Sequence, residues 1–162
     1  MDKIYNLEKW VWTEKDFSKM KWHDCNIYAV AFQKNDYKLM FDIDYIFEWI
    51  NPMSQEEYYK FWVSSATLVF ENVYDLEVDI DCNLSIEIDT ICREQPKQPK
   101  NSIYIQKDLE WKWVILTQCG EINFQSVGYK MYVRRQPLLQ QSQEIGFVER
   151  GGISFYQGRL DL

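Results

Sequence analysis

A chain of 162 residues with 46% hydrophobic and 17% aromatic side chains can close one core without metal or disulfide staples, and is too apolar for disorder. Its 25 acidic against 18 basic side chains give a net charge of −7, which disfavours nucleic acid and anionic membranes and favours a cationic protein partner. The opening MDKIYNLEKW lacks the apolar run of a secretory leader and no segment is apolar for long enough to cross a bilayer, so a cytoplasmic chain with four reduced cysteines is expected.

Residues 14–20 are the first element, a short helix that Thr13 is suited to cap. Next comes MKWHDCNIYAVAF (20–32), which places the single histidine, a carboxylate and a thiol in succession as His23, Asp24 and Cys25. In an extended segment neighbouring side chains point to opposite faces, so His23 and Asp24 are not expected to act on one atom. Neither a helix N-terminus nor a basic cluster activates Cys25. The stretch therefore reads as a turn, capped by Asp24, with His23 packing or hydrogen-bonding locally beside Trp22; a functional role would put His23 and Asp24 at a pocket rim.

From there the period is two. Strands are predicted at 26–33 and 38–49, joined by Lys34-Asn35-Asp36, then at 62–72, apolar on both faces and hence central. Between them Asn51-Pro52 breaks the pattern and Ser54 to Glu57 caps at most one helical turn. Further strands fall at 76–81, 84–91, 102–106, 110–118, 121–125 and 129–134. EQPKQPKN (94–101) is a surface loop, Cys119-Gly120 a tight turn, and Gly128 a bulge or a close backbone approach. After Pro137 the chain becomes an extended tail or short helix followed by an edge strand. The sum is a single all-β domain over 1–162, mainly an antiparallel β-sandwich or partly open barrel with one or two short helices.

The most distinctive chemistry is acidic alternation. FDID (41–44), EVDID (77–81) and IEID (86–89) set Asp42 and Asp44, Glu77, Asp79 and Asp81, and Glu87 and Asp89 on single strand faces. If those strands are neighbours, like charges oppose each other and call for water, lysines, a hard cation or a basic partner. Trp111 and Trp113 share a face, as core if buried or as partner contacts if exposed. Arg134-Arg135 should send one guanidinium toward an acidic strand as an ion pair. No CxxC, HExxH, GxGxxG, Walker loop or GxSxG is present, so neither a catalytic residue nor a metal or cofactor site is expected.

WHDCNIYAVAF (22–32), LMFDIDYIFEW (39–49), FWVSSATLVFENVYDLEVDI (61–80) and GYKMYVRRQP (128–137) together resemble a family of small uncharacterised bacterial proteins. In size, charge and lack of motifs such proteins are similar to the immunity proteins that accompany bacterial polymorphic toxins. The resemblance implies non-enzymatic neutralisation of a basic toxin domain. Two other readings stay open, an enzyme or small-ligand barrel with its pocket near His23 and Asp24, and an oligomeric scaffold.

Overall fold

β-branched and aromatic residues in strict alternation suit a pleated, half-buried surface, and the backbone follows them into strands almost throughout. A computed structural model describes residues 3–55 and 57–160. It holds β1 (Val11–Thr13), β2 (Asn26–Gln33), β3 (Lys38–Ile50), β4 (Lys60–Glu71), β5 (Tyr74–Ile80), β6 (Ile86–Lys97), β7 (Glu110–Thr117), β8 (Gly120–Ser126), β9 (Gly128–Val133) and β10 (Leu138–Gln140). All pairings are antiparallel, in the order β1-β9-β4-β3-β2-β6-β7-β8-β5, with β10 also on β4. The sheet folds on itself without closing into a barrel, since β1 and β5 end the order.

The core lies where β3, β4 and β9 face β7 and β8. Phe70 sits at its centre with ring contacts to Phe41, Trp113, Phe124 and Tyr129, centroids 4.7–6.1 Å apart and edges turned to faces. Trp113, fully buried, satisfies its indole N–H on the Ser126 carbonyl at 3.0 Å. As expected, β4 is central and is covered on both faces, which also bury Ser64, Ser65 and Thr67. Its second face is covered by the tail, which leaves β10 and crosses β3 and β4 as an irregular strap over 141–160.

Short elements match the sequence signals in part. The helix at Glu14–Lys19 is 3₁₀, with the Thr13 hydroxyl accepting from Lys15 N and the Asp16 carboxylate from Thr13 N. Glu57 N donates to Ser54 O in the expected turn, of which residue 56 lies outside the described residues. Gly128, at φ 144°, makes a close approach to the Glu14 side chain, where a Cβ would fall 2.8 Å from Glu14 Cγ.

Three expectations are overturned. Ser102–Ile105 is a helical turn rather than a strand, because Ser102 N and Ile105 N bond to Pro99 O and Asn101 O and Gln106 closes it at φ 55°. The proline-bearing stretch 94–97 belongs to β6: a register shift between Glu94 and Lys97 takes Pro96 out of the regular ladder. Finally, Cys82 and Cys119 form a disulfide, Cα atoms 5.5 Å apart, so the four cysteines are not all thiols. The turn after β5 and the β7–β8 turn meet at one end of the sheet, which a separation of 37 residues conceals. Cys25 and Cys92 remain free.

Candidate functional site

The three acidic strands are not neighbours. β2 lies between β3 and β6, while β7 and β8 lie between β6 and β5. Each acidic face consequently meets its own surroundings.

On β3 the acids are interior. Asp42 and Asp44 are fully buried under the strap, not on an outer face open to a partner, and Arg134 and Arg150 are buried with them. Asp42 Oδ1 accepts from Arg134 Nη2 (2.7 Å) and Arg150 Nη2 (2.6 Å), and Oδ2 from Arg150 Nη1 (2.8 Å) and Ser154 N (2.9 Å). Asp44 Oδ1 accepts from Arg150 Nε (3.1 Å) and Oδ2 from Ile145 N (2.7 Å). The Arg134 Nη1 donates to Thr67 Oγ1 and Ser154 O, and the Arg150 guanidinium rests 3.9 Å from the Tyr28 ring centroid. Two carboxylates thus face two guanidiniums, and the network pins the strap to β3. Burial pushes Asp44 up to about 6, against the pull of Arg150 and the Ile145 N–H. Burial also works against the charge of Arg150, but its bonds to Asp42 and the charge of Asp44 outweigh it, so its pKa is raised. These acids hold the fold together.

On β5 the acids are exposed. Glu77, Asp79 and Asp81 point to solvent, and the β5–β8 register puts Asp79 directly opposite Glu121, also exposed. Like charges so placed destabilise a pair. Gly120 allows the approach, since a Cβ there would fall 2.0 Å from Asp79 O. The start of β6 joins this end: Glu87, half-buried, donates its N–H to Gln118 Oε1 at 2.8 Å, and Asp81 N donates to Cys119 O at 3.0 Å. Asp79, Asp81, Glu87 and Glu121 thus belong to the end of the sheet that holds the Cys82–Cys119 bridge. Residues 61–92 and 113–129 contain no lysine or arginine, and none of the four makes an ion pair among the described residues. Leu84 stands exposed in the turn between β5 and β6, and Val78 is exposed on the opposite face of β5, paired with buried Ile122.

Asp89 separates from this group and joins His23. His23 Nδ1 is 3.3 Å from Asp89 Oδ1 and His23 Nε2 is 3.4 Å from Asp24 Oδ1, so the ring lies between two carboxylates. Alternation failed here because Asp24 is left-handed, at φ 64°, which folds its side chain back toward His23. The ring stacks near Trp49 (centroids 6.2 Å, planes 20° apart), while Trp22 is buried against Tyr45 and Tyr129. Two open grooves flank His23, of about 520 and 470 Å³. Burial pushes the Cys25 thiol up to about 12, which leaves it an inert core residue.

Trp113 is core and Trp111 half-buried, 6.0 Å from it, with the Arg93 guanidinium 4.5 Å from the Trp111 centroid. Sequence reasoning missed Arg150 and Glu121. The apolar Met40 and Ile46 beside Asp42 and Asp44 on that face of β3 were the available sign of a covered face. No family model, curated protein or solved structure matches the chain.

Proposed function

We propose that the protein is a non-enzymatic binding protein of the bacterial immunity type, which captures a cationic toxin domain on the acid-rich end built by β5, β8 and the start of β6. The observation that carries this reading is Asp79 facing Glu121 in a region without basic residues, a potential that a basic partner would relieve. Exposed Leu84, in the turn between β5 and β6, supplies apolar contact near the charge, the mixture that interface centres use. Of the surface that the sequence suggested, Asp42, Asp44 and Trp113 are buried, Trp111 is half-buried and Asp89 lies against His23, which leaves Glu77, Asp79, Asp81 and Glu87; Glu121 joins them in this proposal. The cytoplasm remains the proposed compartment, with the disulfide making the redox state of Cys82 and Cys119 a measurement that bears on it.

The test is co-expression with a basic toxin-type domain encoded beside this chain. Co-purification should weaken with salt and be lost in an Asp79→Lys/Asp81→Lys/Glu121→Lys variant that still melts cooperatively. Full binding by that variant would remove the surface.

A second reading rests on the His23 grooves: a small-ligand site with His23 and Asp24 at its rim. Loss of binding of any ligand found there in His23→Ala is its requirement.

A further inference from the structure

β2 has two neighbours for only part of its length. β3 pairs with it along Asn26–Gln33, whereas β6 meets it at Asn26 and Ile27 alone. Over 28–33 its second edge has no strand against it among the described residues. In an antiparallel pair alternate residues turn their N–H and C=O away from the neighbour, so this edge offers open backbone groups to a further strand.

The other open edges are protected. β1 and β10 are 3 residues long, and the outer strand β5 carries Asp75, Glu77 and Asp79. Beyond its contact with β2, β6 carries Arg93, Glu94, Pro96 and Lys97. Short length, charge and proline each discourage edge pairing. β2 reads NIYAVAFQ, with no charge, proline or glycine. Its core-side row is also uncovered. Leu39 and Phe41 on β3 are 1% and 0% exposed, while Phe32 and Val30 opposite them are 46% and 42% exposed. A strand added to this edge would cover them.

Charge and symmetry select the occupant. An uncharged edge has no attraction for the cationic partner proposed above, and it has no repulsion for a copy of itself. Two strands related by a two-fold axis run antiparallel, and opposite residues must share a sheet face. With the axis at Ala31, Val30 lies opposite the second copy's Phe32, an aromatic and β-branched pair that stabilises sheets. Lys34 falls opposite Tyr28, next to Ile27 and Asn26, where β6 brings in Ile86 and Glu87. Each copy thus sets a lysine toward the other copy's acidic end.

We infer that the protein forms a two-fold homodimer by antiparallel pairing of β2 with its own copy over 28–34, centred on Ala31. The pairing uses Glu87 alone of the acids proposed to meet a cationic partner and leaves Asp79 and Glu121 on β5 and β8 free. Failure of either reading therefore leaves the other intact.

The experiment is sedimentation velocity of the whole chain. A reversible monomer–dimer equilibrium with a dissociation constant of about 100 μM or below is expected, without larger species, because a two-fold edge contact closes on itself. Amide exchange over 28–34 in the unaltered chain should slow as the dimer fills. Val30→Lys/Phe32→Lys sets lysine opposite lysine and should weaken the dimer about 10-fold or more. Val30→Glu/Phe32→Lys sets glutamate opposite lysine and should associate about 10-fold more tightly than the double-lysine chain. Should either variant fail to melt cooperatively, the exchange data on the unaltered chain decide. A chain still monomeric at about 500 μM, species larger than two copies, a dimer whose 28–34 amides exchange at an unchanged rate, or equal association of the two variants would overturn the assignment.

Discussion

Replacing Arg150 by Met keeps a long buried side chain and removes the one guanidinium that touches both interior carboxylates. Asp42 retains Arg134 at 2.7 Å and the Ser154 N–H at 2.9 Å, so most of the loss falls on Asp44, left with the Ile145 N–H alone. Removing one partner from a buried ion network costs about 3–5 kcal/mol, because a charge stays interior without its counter-charge. In a chain of this length that lowers Tm by about 6–20 °C. Urea titration should give the same loss, and amide exchange should show why: Ile145 and Ser154, whose N–H groups end on Asp44 and Asp42, should exchange faster as the strap loosens. Adding Asp44→Asn to Arg150→Met should restore part of the stability, since no uncompensated charge is then buried. A loss below about 1 kcal/mol with Ile145 and Ser154 still protected would refute the claim that this network fastens the strap.

Asp44 titrates higher in the folded chain, at about 6, than when unfolded, so the folded form binds more protons between about pH 4 and 6 and its stability falls as pH rises through that window. Compared with Asp44→Asn, the wild-type chain should lose up to about 3 kcal/mol between pH 4 and 7, and parallel stability curves for the two would contradict the assignment. Breaking the Cys82–Cys119 bridge, by reductant or as Cys82→Ser/Cys119→Ser, should cost up to about 4 kcal/mol for a loop closed across 37 positions, read as a lower urea midpoint. An unmoved midpoint would mean that the bridge contributes nothing to stability.

Much of the fold was legible because its signal is local. Alternation at 26–33, 38–49 and 76–81 is the direct imprint of the two-residue period of a strand, although on β3 the structure buries both faces, and Thr13 and Cys119-Gly120 announced a cap and a turn. The errors fall where local rules have exceptions. Asp24 broke the alternation by entering the left-handed region, and 102–106 has strand-like composition but no partner strand, so its backbone groups bonded to one another. Cys82 and Cys119 carry no spacing motif that could have revealed their bridge.

The site residues divide in the same way. From sequence, Asp42 and Asp44 resemble Asp79 and Asp81, carboxylates two apart on one strand face, and only the apolar Met40 and Ile46 flanking the first pair on its face set them apart. Strand propensity, the central place of β4 and the acidic balance are properties of residues and their neighbours in the chain, and the sequence by itself determines them. Which acids became a buried network and which an exposed acidic end depended on what covered them. Arg150 reaches Asp42 across 108 residues, and Glu121 meets Asp79 only through the β5–β8 register. Those pairings follow from strand order and from the path of the strap, and tertiary structure alone decided them because loop closure leaves no trace in a local pattern.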